Sequence, residues 1–188
     1  MAKACQPPRV KLICGMISSQ PALMEQAGRA LGETHGEVEL TSEVMDFDFT
    51  HYYDRQMSSP LYRQFVAFGE LVCPDVLADA KLGANALERE FASGAAGRGS
   101  LQGGPARPIN IDPGYVESSK LVLASMKNFS HRIYIGRGVY AEVTLLYRRG
   151  RWEPLEWTFP DYASGRYWPF LDQVRRRLRR QLAQESPS

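Results

Sequence analysis

The sequence predicts an α+β fold with a mainly antiparallel sheet, and three observations lead to it. Several segments alternate apolar and polar side chains, which is typical of strands with one buried face. Three other segments repeat apolar residues every three to four positions, which indicates helices. Finally, the order strand, helix, strand, strand, helix, strands, helix favours an antiparallel sheet with the helices on one face. The first six elements match a ferredoxin-like βαββαβ order, extended by a C-terminal β-meander and a helix.

Composition indicates one globular domain. The chain has 188 residues, of which 44% are hydrophobic and 23% charged, and we predict a single domain over residues 8–182 with tails at 1–7 and 183–188. A net charge of +2 is too small to indicate a nucleic-acid partner. Three cysteines without a CxxC pair favour a reducing cytoplasm. The apolar stretch at 12–17 is too short for a signal core or a membrane span, so no membrane partner is expected.

The first half of the chain predicts a strand, a helix and a hairpin. Residues 10–17 have the continuous apolar character of a buried strand. Ser18 or Ser19 is expected to cap the following helix, because Pro21 fits its first turn. Residues 43–53 alternate aromatic and acidic side chains, which predicts a strand paired with a second one over 61–72.

A second helix and a glycine-rich segment follow. The helix opens at Pro74, and its polar stripe of Lys81, Asn85 and Glu88 is interpreted as a solvated flank. Residues 93–107 are predicted to form a flexible loop, because they are rich in glycine and have little to bury. The segment lacks the GxxxxGK[ST] pattern of a phosphate-binding P-loop, which argues against that site.

Residues 109–157 are predicted to be mostly strand, with hairpin tips at 136–138 and 149–150. Pro113 and Gly114 predict a turn that interrupts this region near its start. The last element is a helix over residues 164–182 with an apolar line and an arginine-rich remainder. That basic surface is interpreted as a solvated face, with RNA binding as the alternative.

The hairpin tip at 136–138 predicts a specific pairing of its two strands. If these three residues form the turn, Ile135 faces Val139 and Arg132 faces Glu142, because a slip by one residue would mix apolar and polar partners. An opposed Arg132–Glu142 pair is a structural ion pair by default. The alternative is that Arg132 binds an anion while Glu142 positions it or binds a metal. The same register places His131 on the apolar face.

Several polar residues around this hairpin carry the chemical predictions. Asp48, Asp112 and Glu142 offer the oxygen ligands that suit Mg²⁺, although Asp112 also fits a turn cap. The cations predicted to hold phosphate oxygens are Lys120, Lys127 and Arg132. His131 is the candidate catalytic residue for proton transfer, with a buried, hydrogen-bonded histidine as the alternative.

Four motifs together resemble a family of short bacterial proteins described as a domain of unknown function, family 4416. They are DFDFTHYY, RPINIDPGYVESSKLVLAS, SHRIYIGRGVYAEVTLLYRRGRWEPL and WTFPDY, and the likeness runs over residues 10–174. The resemblance implies no established activity. It does bring further residues forward as site candidates, with Asn110, Tyr115 and Tyr52 as substrate-binding positions and Asp161 and Tyr162 beside them.

These observations support two classes of function. The first is a protein that binds a phosphorylated small molecule or a nucleotide, with metal-dependent phosphoryl hydrolysis or transfer as its reaction and Mg²⁺ as its cofactor. The second is a non-catalytic interaction module whose exposed aromatic residues dock a protein partner or a second copy of the chain. RNA binding through the sheet and the basic helix is a weaker third alternative.

Overall fold

The computed structural model describes residues 3–49, 56–94 and 106–185 and confirms an α+β protein. Its sheet is antiparallel throughout the described strand pairs. None of the helices among these residues combines the length and apolar content needed to cross a membrane. In chain order the elements are β1 Val10–Ser18, α1 Pro21–His35, β2 Val38–Thr41, β3 Met45–Asp46, β4 Tyr62–Val72, a 3₁₀ turn Pro74–Val76, α2 Leu77–Ser93, β5 Ile109–Val116, β6 Lys120–Ser125, β7 Ile133–Gly136, β8 Val139–Arg148, β9 Arg151–Pro154, α3 Pro160–Ala163 and α4 Trp168–Glu185.

The sheet follows the order β2-β4-β1-β5-β6-β8-β7, with β3 added to β4 and β9 added to β8. All nine residues of β1 are buried, since β1 lies at the centre with β4 on one side and β5 on the other. Its even-numbered residues from Leu12 to Met16 pack with α1 and α2, whereas Ile13 packs with α4.

The prediction that all helices lie on one face is therefore wrong. α1 and α2 cover one face of the sheet, and α3 and α4 cover the other. The physical reason is that β1 and the middle of β4 are apolar on both sides, and such strands need cover on both faces.

The strand predicted over 43–53 is mostly absent from the part of the chain that is described. Only Met45–Asp46 pairs with β4, and the unpredicted β2 occupies the next position along that strand. The alternating apolar pattern at Met45 and Phe47 reflects the burial of these two side chains and not their pairing in a long strand. Residues 50–53 of the prediction, including Tyr52, lie outside the described residues.

The turn predicted at Pro113 and Gly114 is also wrong, because β5 runs straight through both residues. β5 pairs with β1 over its full length, but it pairs with β6 only from Gly114 to Val116. A Cβ on Gly114 would lie 2.5 Å from the Val122 carbonyl oxygen, so glycine is what allows the close approach of β6. Before Gly114 the two strands diverge, and this fork forms the candidate site.

The β7–β8 hairpin differs from its predicted register at the tip. Tyr134 faces Tyr140 as expected, but Gly136 rather than Ile135 pairs with Val139. The turn is the two residues Arg137 and Gly138, both with positive φ, which matches the twist of a tight hairpin. Ile135 becomes an extra residue in the strand, which shifts the register. The second predicted tip, residues 149–150, does connect β8 to β9.

Two helix ends also differ from prediction. The N-cap of α1 is Gln20, and Ser18 instead accepts a hydrogen bond from the Gln20 N–H at 3.0 Å. α4 begins later than predicted, at Trp168, and continues to Glu185, within the segment predicted as a tail. Of the predicted flexible loop, residues 95–105 lie outside the described residues.

Candidate functional site

A cavity of about 520 Å³ occupies the fork between β5 and β6. α2 borders it on one side, and α3 with the preceding Phe159 borders it on the other. Its charged lining residues comprise five cations and three carboxylates: Arg63, Lys81, Arg107, Lys127, Arg132, Asp112, Glu142 and Asp161. The described lining therefore carries an excess of positive charge, which favours an anionic ligand.

Arg63 is buried at the inner end of this cavity, with only 4% of its surface exposed. It is on β4, and Gly15 on the adjacent strand β1 makes room for it: a Cβ there would lie 2.7 Å from Nη1. The guanidinium carbon is 5.2 Å from the ring centroid of Phe65 and 5.4 Å from that of Tyr162. Such aromatic faces stabilise a cation that has lost its water.

The hydrogen bonds of Arg63 leave donors unused. Nη2 donates to Asp161 Oδ2 at 2.9 Å in a buried ion pair. Within the described part of the chain, Nε and Nη1 have no hydrogen-bond partner although both are buried. Tyr162 also lines the cavity, and its buried hydroxyl likewise has no hydrogen-bond partner among the described residues. Unpaired buried donors are costly and therefore uncommon, so they indicate a place for an acceptor.

Electrostatics keep Arg63 charged and Tyr162 neutral. Burial opposes the charge of Arg63, but its interactions with Tyr162 and Asp161 outweigh this and raise the pKa of the guanidinium above its ordinary value. Burial also raises the pKa of the Tyr162 hydroxyl well above its ordinary value, despite the opposing effect of Arg63. At neutral pH both groups are therefore hydrogen-bond donors.

A second polar network joins α2 to β5. Lys81 Nζ donates to the Ile111 carbonyl at 2.9 Å and to Asp112 Oδ1 at 3.1 Å, and Asn110 donates to the other Asp112 oxygen. Arg107 contacts both Asn110 and Glu88. The polar stripe of α2 is therefore not the solvated flank that was predicted, since Lys81 is only 5% exposed. The stripe packs over β5 because, where β5 and β6 diverge, polar groups of β5 need hydrogen-bond partners other than β6.

This network also sets the ionisation of Asp112. Burial acts to raise its pKa, but Lys81, Arg63 and the hydrogen bond from Asn110 outweigh that effect and lower the pKa. Asp112 is therefore a carboxylate at neutral pH. It belongs to a strand and bonds to Lys81, so it is not the cap of a turn.

The third cluster centres on Glu142, which is 3% exposed and lies on β8. Arg132 Nε donates to Glu142 Oε2 at 2.7 Å, as the predicted opposed pair requires. His131 Nε2 lies 3.1 Å from the same oxygen, and its ring stacks on Trp157 at 5.3 Å. The placement of His131 on an apolar face is thus wrong, because it precedes β7 in a loop and turns toward Glu142.

The structure brings together only part of the predicted site. Asn110, Asp112, Lys127, Arg132 and Glu142 line the cavity. His131 is not among the lining residues, but it contacts Glu142, which is. Three predicted residues lie elsewhere among the described residues: Lys120 pairs with Glu117, Tyr115 packs near α2, and Asp48 pairs with Arg166 at 3.0 Å. Tyr52 lies outside the described residues.

The three predicted Mg²⁺ ligands do not form one group. Asp112 and Glu142 line the cavity, whereas the side chain of Asp48 is exposed and pairs with Arg166. In the described ranges no three side chains of histidine, cysteine, aspartate or glutamate are placed to hold a metal ion. No reaction step is therefore assigned to Mg²⁺, and its participation stays a prediction.

Sequence reasoning missed Arg63, Lys81 and Arg107 as cavity residues. A signal for Arg63 was present: it occupies an otherwise apolar face of β4, in the same period-two line as Phe65 and Ala67. An arginine at such a position is buried unless the strand is misassigned. Lys81 gave no comparable signal, because a polar stripe on a helix is normally solvated.

The arginine-rich helix α4 uses part of its charge within the fold. Arg175 donates to the Ser118 carbonyl at 2.8 Å and lies 3.5 Å from the centroid of the Tyr147 ring. Arg177 pairs with Glu39 at 2.9 Å. These contacts fasten α4 to the sheet, so its basic residues are only partly available to an outside partner.

The fold and the cavity together define the class: an α+β protein with a cation-lined cavity at a fork in its sheet. The chain belongs to the family described as Domain of unknown function (DUF4416), whose model matches residues 8–178. This confirms the resemblance found in the sequence motifs. No curated protein and no solved structure matches the chain significantly.

Proposed function

We propose that the cavity between β5 and β6 binds a phosphorylated small molecule or a nucleotide. The observation that carries the proposal is the charge of the described lining, five cations against three carboxylates. Its volume of about 520 Å³ falls in the range of small-molecule sites. A net positive, partly buried lining attracts a phosphate more strongly than a neutral ligand.

The phosphate is expected at the outer part of the cavity. Lys127 is exposed at this rim, and Arg132 is held nearby by Ser125 at 2.8 Å and by the Lys127 carbonyl at 2.8 Å. Arg132 is thus fixed before a ligand arrives, which reduces the ordering cost of binding. The proposal places a phosphate oxygen between these two side chains.

Hydrolysis or transfer of the phosphoryl group is the reaction that the sequence predicts. Binding is the part that the lining supports, since His131 lies behind Glu142 and the carboxylates are paired with cations. If Mg²⁺ takes part, Asp112 and Glu142 are the predicted ligands that line the cavity. We also propose a ferredoxin-like unit as the scaffold, supported by the order β5-β1-β4-β2 with α1 and α2 on one face.

A thermal-shift screen tests this proposal. Inorganic phosphate, sugar phosphates and nucleotides would be added to the full chain, with and without Mg²⁺. A ligand at about 100 times its Kd adds about 2.7 kcal/mol to the free energy of unfolding. Silence across the screen contradicts the proposal.

A pair of variants locates the effect. Lys127→Gln removes an exposed charge at the cavity rim, and Arg29→Gln removes one on α1, where the side chain is 63% exposed. Both lower the net charge by one, so a general electrostatic attraction would weaken equally in the two. We expect only Lys127→Gln to reduce the ligand-induced shift.

A second function, docking of a protein partner or a second copy, is supported by the sheet edge at β7. Ile133 is 71% exposed, Tyr134 59% and the preceding Phe129 63%. β7 ends the described strand order, so its outer backbone groups are open to pairing. Sedimentation velocity of the wild type and of Ile133→Lys tests it, with Val44→Lys near the opposite edge as the control. A monomer at all concentrations would exclude docking of a second copy. Docking of a protein partner would be excluded if the wild type retained no protein in a pull-down experiment.

A further inference from the structure

We propose that the inner end of the cavity is a subsite for a carboxylate, formed by an unpaired N–H group of Arg63 and the hydroxyl of Tyr162. This inference rests on the proposed function and extends it, because it assigns a second anionic group to the phosphorylated ligand. The phosphate occupies the rim near Lys127 and Arg132, and the carboxylate occupies the buried end.

The first argument concerns the donors. Nε and Nη1 together carry three N–H groups, and the Tyr162 hydroxyl adds an O–H. These atoms are buried without a partner among the described residues, although both side chains line the cavity. Among the described residues, Arg63 donates a hydrogen bond to the carboxylate of Asp161 through Nη2. Because the Nε–H and Nη1–H groups point to different edges of the guanidinium, a group that binds here accepts from one of them and from the Tyr162 hydroxyl.

The second argument concerns the room that the fold leaves for this guanidinium. Gly15 on β1 carries no side chain where a Cβ would meet Nη1 at 2.7 Å and Phe65 at 2.8 Å. Four rings surround the guanidinium carbon at 5.2 to 5.7 Å, from Phe47, Phe65, Tyr162 and Tyr167. The aromatic walls exclude water, so a hydrogen bond made here is stronger than at the surface.

The third argument selects a carboxylate over a phosphate. Asp161 lies 2.9 Å from Arg63 Nη2 and already compensates one positive charge. Asp112, whose carboxylate is paired with Lys81, also interacts with Arg63. A dianionic phosphate at this end would be repelled by both carboxylates, whereas a carboxylate adds a single charge. A carboxylate oxygen also forms a strong, charge-assisted hydrogen bond with a guanidinium N–H.

The test uses three probes that share a three-carbon frame. Glycerol 3-phosphate has the phosphate alone, glycerate has the carboxylate alone, and 3-phosphoglycerate has both. Kd values would be measured for the full chain by calorimetry or thermal shift. We expect 3-phosphoglycerate to bind at least about tenfold more tightly than glycerol 3-phosphate, the difference that charge-assisted hydrogen bonds provide.

The variants are Tyr162→Phe and Arg63→Lys, with Tyr147→Phe and Arg29→Lys as matched controls away from the cavity. Tyr162→Phe removes a hydroxyl without a partner among the described residues, so it should fold with undiminished stability while losing several-fold in affinity for 3-phosphoglycerate. Arg63→Lys keeps a charge beside Asp161 but lacks Nε and Nη1. Neither control should change the preference for 3-phosphoglycerate.

The outcomes separate the two ideas. Equal affinity for 3-phosphoglycerate and glycerol 3-phosphate, unchanged by either cavity variant, overturns the carboxylate subsite and leaves the proposed function standing. Binding of glycerate without binding of glycerol 3-phosphate supports the subsite and overturns the phosphate site. Absence of binding by all three probes overturns the carboxylate subsite, and the nucleotides and sugar phosphates of the thermal-shift screen then decide the proposed function. A loss of affinity in Tyr147→Phe equal to that in Tyr162→Phe also counts against the subsite.

Discussion

Two buried cations on adjacent strands of the sheet, Lys11 on β1 and Arg63 on β4, have opposite hydrogen-bonding environments. Lys11 Nζ has three oxygens around it: the Gly69 carbonyl at 2.8 Å, Gln181 Oε1 at 2.6 Å and Glu39 Oε2 at 2.8 Å. The Glu39 contact is an ion pair without hydrogen-bond geometry. Two hydrogen bonds and one ion-pair contact at 2.8 Å therefore surround the ammonium group, which has three N–H donors.

Arg63, by contrast, has more donors than the described residues use. One nitrogen is paired with Asp161, and the other two lack partners among these residues. Both cations are almost fully buried, so burial alone does not distinguish them. The difference teaches that a structural cation is recognised by matched donors and acceptors, and a candidate binding group by a surplus of donors beside a cavity.

The largest expected effect is on stability when Arg63 is removed. Arg63→Met leaves the buried carboxylate of Asp161 without its cation, and we expect a loss of about 3–5 kcal/mol in the free energy of unfolding. Urea denaturation followed by circular dichroism would measure it. A loss below about 1 kcal/mol would show that Asp161 is better solvated than its 4% exposure indicates.

Lys11→Met should cost less, about 2–3 kcal/mol, although it too breaks a buried ion pair. Arg177 still pairs with Glu39, and Gln181 still donates to the Gly69 carbonyl. Ligand-induced thermal shifts should be unchanged in this variant. If they disappear while the protein remains folded, Lys11 is not purely structural and the comparison with Arg63 fails.

Gly15→Ala tests whether the space beside Arg63 matters. The new methyl group would meet Arg63 Nη1 at 2.7 Å and Phe65 at 2.8 Å, so we expect a destabilisation of about 1–3 kcal/mol with a weaker ligand shift. Gly83→Ala on α2 is the matched control, because nothing lies within 4 Å of its added Cβ. The control should gain up to about 1 kcal/mol, the usual benefit of alanine in a helix.

The smallest effect is the pH dependence contributed by Asp112. Its pKa is lower in the folded chain than in the unfolded one, so its stabilisation is present above the unfolded value of about 3.9 and is lost as the pH falls through the folded value. Each unit of difference is worth about 1.4 kcal/mol. The stability gap between wild type and Asp112→Asn should therefore narrow below about pH 4 in acid unfolding curves. A gap that is constant from pH 7 to pH 2 would contradict this.

The sequence predicted the sheet better than its edges and covering layers. Periodicity identified β1, β4, α2 and the β8–β9 hairpin, because each has a strong apolar pattern or a tip with a glycine. The β7 tip was misread by one residue, since three consecutive turn-forming residues permit more than one loop length. Helices on both faces were missed because a buried strand does not reveal which segments cover it.

Part of the candidate site was predicted for a similar reason. Arg132 and Glu142 are local across a hairpin, so their pairing followed from the register. Arg63 and Asp161 are 98 residues apart in the chain, and only the packing of α3 on the sheet brings them together. Lys81 and Asp112 likewise meet only where α2 packs on β5. Long-range contacts of this kind leave no spacing rule in a single sequence.

The sequence by itself determined the α+β class, the family and the hairpin ion pair, because local periodicity and long motifs carry that information. The tertiary structure decided which polar residues converge. It placed Arg63 and Tyr162 at the cavity, turned His131 toward Glu142 and left Lys120 and Asp48 elsewhere. The physical reason is that strand order and the divergence of β5 from β6 fix which side chains share a space, and neither is encoded by neighbouring residues alone.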